Sequence, residues 1–456
     1  MPNVGIAEGP LLDSQGVRLA LMDDPRNYLK APAKLLAVCA MTLAHLASTA
    51  IGQSSLEKVR RSIQSKEPVE KSPSDSSEVP QEENLAIPSS PESYDCPTRC
   101  DHYSQNGMRF YNSGNVWAQG EYLMFWTKSA DLPVLASAGV LDQPGVRPLF
   151  GGNPVDLGLH SGTRLTFGLW DCPCQELGFQ ASYFMLGNYG KTFTADTTSN
   201  ALLAQPFANA VSGHEDAAFL AIPNSQTGNI SIRIANQMQM ADALARINLS
   251  QTQCDRVDFL LGYHYAKFEE RLNIDGSTTY IDPLGVNRVG TVISSFDDFQ
   301  TKNFFHGGEL GLISKSTTGA LTVELSTRIS LGNNASQVKI NGNTTTAVPN
   351  LAEQNSVGGL MALPTNIGTY SQNSFAFIPQ VGLTLTHRFT NNLDLSFGYT
   401  FIYWSKVARP GQQVDRQINP TQIPPGPLVG VASPKFEFAS TDFWTQGLQF
   451  GMLYRF

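Results

Sequence analysis

Counting back from Phe456, the apolar residues Phe456, Tyr454, Met452, Phe450 and Leu448 share one face of the chain, and Arg455, Gly451, Gln449, Gly447 and Thr445 share the other. A period of two predicts a strand with one greasy and one small or polar face. The same alternation recurs upstream. Val381, Leu383, Leu385 and Phe389 oppose Gln380, Gly382, Thr384, Thr386 and Arg388, and Leu393, Leu395, Phe397, Tyr399, Phe401 and Tyr403 oppose Asp394, Ser396, Gly398 and Thr400. Leu321, Val323, Leu325, Ile329 and Leu331 stand against Thr322, Glu324, Ser326, Arg328 and Ser330. Each run has one face fit for hydrocarbon and one fit for water.

Ten such runs are predicted, near residues 115–126, 162–170, 176–187, 230–249, 256–270, 302–314, 320–332, 375–389, 393–405 and 443–456. Four connections are tight: Asp171–Gln175, Gln251–Asp255, Lys315–Gly319 and Thr390–Asn392. Five are long, at residues 127–161, 188–229, 271–301, 333–374 and 406–442. Tight and long connections alternate from end to end, as in an outer-membrane barrel with short periplasmic turns and long external loops. A soluble sandwich, the competing reading of a single alternating strand, has no reason to alternate its connections in this way. The expected fold is therefore all-β: a transmembrane, antiparallel, up-and-down β-barrel over residues 115–456, with both termini in the periplasm and outer-membrane lipid around it. The wall must close, because an unpaired sheet edge in hydrocarbon costs several kcal/mol per orphan backbone group. The run from Asn229 to Leu249 switches phase: Ile230, Ile232 and Ile234 take one face, and Ala243, Ala245, Ile247 and Leu249 the other. That implies a bulge or two strands there, and keeps twelve strands open beside ten.

Composition agrees with a barrel. Charged residues are 15% of the 456, against roughly 25% in soluble proteins, and past residue 51 no apolar run is long enough for a spanning helix. A net charge of −8 without a basic stripe excludes nucleic acid as a partner. Leu35–Ile51 follows Lys30 and Lys34 and ends in small residues, the pattern of a secretory signal cleaved after Ala50. Translation is expected to begin at Met22, with residues 1–51 as extension and signal. Residues 52 to about 95, rich in Ser, Pro, Glu and Lys, cannot bury enough apolar surface to order themselves, and residues 52–114 read as a disordered periplasmic tether.

The segments Glu121–Lys128, Gly139–Gly152, Ser161–Trp170, Asn303–Leu312, Thr365–Gln380, Phe397–Pro420 and Thr441–Phe456 together resemble the beta-barrel porin family numbered seven, a group of bacterial outer-membrane proteins. The resemblance covers about residues 115–456 and implies location and architecture. It implies no catalytic or ligand residues.

Glu309, Glu324, Arg328, Arg388 and Asp394 lie on the water-facing side of greasy strands. They either line a lumen and bias ion passage by sign or pair with one another and plug it. A wall of ten to twelve strands favours the plug, since about eight strands are filled by side chains and open channels need about 16. Cys96, Cys100, Cys172, Cys174 and Cys254 remain after signal removal, all on the expected periplasmic side, and suit disulfides in an oxidising compartment. A zinc site from the first four has the wrong spacings. Trp117, Trp126, Trp170, Tyr403, Trp404, Phe443 and Trp444 sit at the ends of runs and read as an aromatic girdle. His214, Glu215 and Asp216 lie together in a long loop, but no nucleophile elbow, zinc-protease motif or phosphate loop accompanies them. The expectation is no enzyme and no cofactor. The protein either passes small solutes or supports the envelope, the first rival being adhesion to surface ligands through the loops and the second an outer-membrane hydrolase acting through His214. Tyr454 and Phe456 are the expected signal to the barrel-insertion machinery.

Overall fold

The computed structural model describes residues 115–171, 175–252 and 254–456. The expected signal, tether and the cysteines other than Cys254 lie outside the described residues.

Ten long strands follow one another: β1 (Val116–Thr127), β2 (Leu159–Trp170), β3 (Leu177–Asp196), β4 (Gln226–Gln251), β5 (Asp255–Tyr280), β6 (Val292–Thr318), β7 (Leu321–Ala347), β8 (Gly368–Arg388), β9 (Leu393–Val407) and β10 (Thr441–Arg455). Each pairs antiparallel with the next, and β10 pairs back onto β1, from Trp117↔Arg455 to Thr127↔Thr445. The wall is closed. A four-residue strand, Gln354–Val357, adds only to the outer end of β7. Among the described residues no helix is long and apolar enough to cross a membrane, so any crossing is made by strands.

The outward face carries a belt next to the tight turns. Phe167, Phe179, Tyr183, Leu261, Tyr263, Leu310, Leu383, Phe397, Phe450, Met452 and Tyr454 are all exposed there. On β5 the belt runs from Val257 to Tyr265, a span at the short end of the roughly 9–11 residues that a tilted transmembrane strand needs. The terminal strand shows how the edge is sealed: the Phe456 amide donates to Val116 O (3.0 Å) and the Arg455 amide to Asn392 O (2.8 Å).

Three of the five expected long loops prove to be largely strand, residues 188–229 among them through the ends of β3 and β4 and two short strands. Residues 271–280 and 292–301 extend β5 and β6, and residues 333–347 extend β7. The fourth run is one strand and not two: β4 pairs with β5 in one register from Gln226↔Tyr280 to Asn248↔Asp258, with irregularities only at Leu249 and opposite Gln237, where β3 carries an extra residue between Leu186 and Tyr189. Ile230, Ile232 and Ile234 have the same parity as Met238, Met240, Leu244 and Arg246, and all of these are buried. What changes along the strand is its surroundings. Beside the belt the outside is lipid-like and the lumen polar; beyond it the outside is wet and the lumen is packed with folded loops. The period-two pattern therefore inverts although β4 keeps the same parity toward the lumen throughout.

The connections at the far end turn inward. Five short strands, Ala136–Ser137, Pro148–Phe150, Leu203–Asn209, Glu215–Ala221 and Gln417–Ile418, form a small sheet of their own. Leu135, Leu203, Phe207, Leu220, Leu360, Met361 and Ile418 from these loops pack on Ile230, Ile232, Ile234, Leu272, Ile274, Phe299, Val338 and Ile340 of the wall. Burial at about 1.5–3 kcal/mol per large side chain makes this mouth a hydrophobic core in its own right.

Candidate functional site: the filled lumen

From the turns upward, the lumen holds a polar vestibule, a buried charge network, an aromatic layer and the loop core. The vestibule is a cavity of about 270 Å³, and Glu324, Arg328, Arg388 and Asp394 all line it. Most of its charges are paired. Lys315 Nζ meets Glu324 Oε2 at 2.6 Å, Arg164 Nε meets Glu121 Oε2 at 3.2 Å, and Arg455 grips Asp394 through both terminal nitrogens. Arg246 and Arg256 share the buried Asp258 at 2.7 and 2.8 Å and lie over the Trp170 ring. Arg388 has no ion-pair partner among the described residues. Gly168 is required nearby, because a Cβ there would stand 2.2 Å from the Trp117 ring.

Above the vestibule Arg328 Nη1 lies 3.3 Å from both Asp242 Oδ2 and Glu309 Oε1. His264 Nδ1 touches the same two carboxylates, Ser182 donates to Asp242 (2.6 Å), and Ser330 donates to Glu309 (3.0 Å). Asp242, His264 and Glu309 place ligand atoms within 4.8 Å of one another, as a metal centre would. The guanidinium between the carboxylates already supplies the positive charge, so the cluster reads as a polar plug.

The next layer is aromatic. Phe268 on β5 and Phe443 on β10 stand on opposite sides of the ring of strands, yet their ring centroids are 4.2 Å apart. Phe125 and Phe184 pack edge to face beside them, as do Phe305 and Trp404. All of these are at most 6% exposed. The expected girdle is corrected accordingly. Trp404 and Phe443 face the lumen, as do Trp117 and Trp170 lower down; Trp126, Tyr403 and Trp444 keep the outward parity.

Immediately above, polar clamps tie the last long loop across the barrel. Arg409 makes a bidentate contact with buried Glu270 (2.7 and 2.8 Å) and donates to Ser129 O (2.7 Å). Asn303 Nδ2 donates to Ala408 O (2.9 Å) and its Oδ1 accepts from the Ala408 amide (2.8 Å). Higher still, beyond the belt, Asp297 accepts from the backbone N–H groups of Leu360, Met361 and Ala362. Burial pushes its pKa up to about 6, against the pull of those three donors.

Asp242, His264, Asp258, Glu270 and Arg409 were not singled out from sequence. The signal available was parity: on β5 the buried polar residues Asp258, His264 and Glu270 share the even positions of their buried apolar neighbours. The loop acids are structural, with Glu215 binding Arg416 (2.6 Å) and Asp216 accepting from Asn209 (3.0 Å) and the Ala217 amide (2.8 Å). Cys254 is disulfide-bonded, and it is the only cysteine among the described residues. Tyr454 and Phe456 point outward with ring centroids 5.1 Å apart.

A family model described as "Putative beta barrel porin-7" matches residues 117–456. The chain belongs to this family. No curated protein matches the porin-7 chain. Among solved structures it is similar to the translocator domain of the autotransporter NalP from Neisseria meningitidis, at 10% identity over 76% of this chain and 91% of that one, TM-score 0.21. A Pseudomonas aeruginosa FadL homologue gives 8% identity over 76% and 91%, TM-score 0.20. An anion-selective porin from Comamonas acidovorans gives 8% over 75% and 99%, TM-score 0.18. These TM-scores are too low for the likeness to decide anything beyond what the porin-7 strands already show.

Proposed function

We propose that this porin-7 barrel sits in the bacterial outer membrane with its turns in the periplasm, and acts as a structural envelope protein presenting a folded cap, its lumen closed to solutes. The contact of Phe268 with Phe443 across the full width of the barrel carries the reading. Side chains that meet in the middle of a ten-stranded wall leave no water column, and the folded loops above add a second seal. The vestibule supports solute entry from the turn end, but it stops below the aromatic layer. The rival role, adhesion through the cap, draws support from the rigid five-strand sheet at the far end. No catalytic role is proposed for the lumen carboxylates, which are bound to Arg and His, or for His214, whose two acidic neighbours are occupied. The exposed Tyr454 and Phe456 are proposed as the contact for barrel-insertion machinery.

The deciding measurement is planar-bilayer conductance of purified protein. Steady single-channel steps should be absent; large, steady steps would overturn the closed reading. The unboiled protein should also run faster than the boiled form on a denaturing gel, as a compact barrel does.

A further inference from the structure

The outward surface just beyond the belt is unlike the rest of the molecule. Across β4 to β7, in the rows from Lys267 to Asn273 of β5, five cations point outward: Arg233, Lys267, Arg271, Lys302 and Lys339. Only two carboxylates, Glu269 and Asp298, share those rows, whereas the whole chain carries −8. Glu269 is shared by Lys267 Nζ (3.0 Å) and Lys302 Nζ (3.4 Å), and Asp298 is held by Arg271 (2.7 Å). Arg233 and Lys339 have no ion-pair partner among the described residues. The remaining positions are mostly amides, Gln237, Gln239, Gln300, Gln337, Asn273 and Asn341, which add further donors. A merely solvated face would need neither this sign nor this placement. The lowest cation, Lys267, lies over the Phe304 ring at 5.8 Å, one pair above the Tyr265–His306 contact that ends the belt. Arg271 holds Asp298 through Nε and Nη2 and is still 54% exposed, so its outer side is open to another anion.

We propose that this patch binds the phosphate-bearing headgroup of an outer-leaflet lipid. An acyl chain lying on Leu261, Tyr263 and Leu310 brings its headgroup to the level of Lys267 and Lys302, within roughly 7 Å of the aromatic edge at about 3.4 Å per residue. Cations at that height each contribute about fivefold to the affinity for an anionic surface. The inference rests on the outer-membrane reading, and the test separates the two.

The purified barrel is reconstituted into phosphatidylcholine vesicles doped with lipid A or with dephosphorylated lipid A, floated on a density gradient, then extracted, and its bound lipid is counted by native mass spectrometry. Wild type should retain lipid A and lose it when the phosphates are removed. The triple variant Lys267→Gln, Lys302→Gln, Lys339→Gln changes only outward side chains and should float normally but retain at least tenfold less. Lys435→Gln, in an external loop, should retain as much as wild type. Equal retention by wild type and the triple variant, or by both forms of lipid A, overturns the proposal while leaving the membrane reading intact. Release by millimolar inorganic phosphate also overturns it, because recognition would then lie in a free anion. Failure of wild type to float overturns both.

Discussion

Arg328 shows how a single residue sets the character of the lumen. It is held within 3.3 Å of Asp242 and Glu309, whose side chains are 9% and 0% exposed, while His264 closes the other side. Such a group adds little net stability as a whole, because desolvation offsets attraction, but breaking one side of it exposes uncompensated buried charge. Arg328→Met should therefore destabilise the barrel by about 3–5 kcal/mol, read as a lower urea midpoint of tryptophan fluorescence. Adding Asp242→Asn and Glu309→Gln to that variant should recover most of the loss. A triple variant no more stable than Arg328→Met would show that the network contributes through packing rather than charge.

At the scale of elements, the loops are as much part of the core as the strands. Asp297 on β6 anchors the segment Leu360–Ala362 through three backbone donors. The approach is close enough that Gly359 cannot be replaced, since a Cβ there would lie 2.3 Å from the Asp297 carboxylate. Burial raises the Asp297 pKa from 3.8 to about 6, so the folded state holds this proton more tightly than the unfolded chain. Its stabilising contribution is full below pH about 4 and is lost as pH rises through about 6, a swing on the order of 3 kcal/mol. The temperature at which the compact gel form disappears should accordingly be higher at pH 5 than at pH 7. Asp297→Asn should flatten that dependence; an unchanged pH profile would place the titration elsewhere.

For the whole molecule the belt is the organising surface. No Asp, Glu, Lys or Arg points outward on β5 between Asp255 and Lys267, or on β7 between Leu321 and Lys339. A charge introduced into it should cost about 2–4 kcal/mol if acyl chains cover it. Leu383→Arg, outward and half exposed, should lower the yield of folded barrel in vesicles, while Thr386→Lys, which faces the vestibule three residues on, should be tolerated. Equal tolerance of both would argue against lipid on that face.

The alternation from Leu393 to Tyr403 and from Leu448 to Phe456 was enough to predict strands, with ten or twelve left open for their number, because beside the belt the outward positions are largely apolar. Glu309, Glu324, Arg328 and Asp394 were visible as inward charges for the same reason. Their partners were not: Asp242 reaches Arg328 across 86 residues of chain, and Glu270 reaches Arg409 across 139. The inverted stretches Leu272–Ile274 and Val338–Ile340 were hidden for a different cause. Their polarity answers to loops that fold back into the mouth, and whether a given side of a strand faces lipid, water or another segment is a property of the assembled barrel. Local periodicity thus determined the wall; long-range packing alone decided which groups meet inside it.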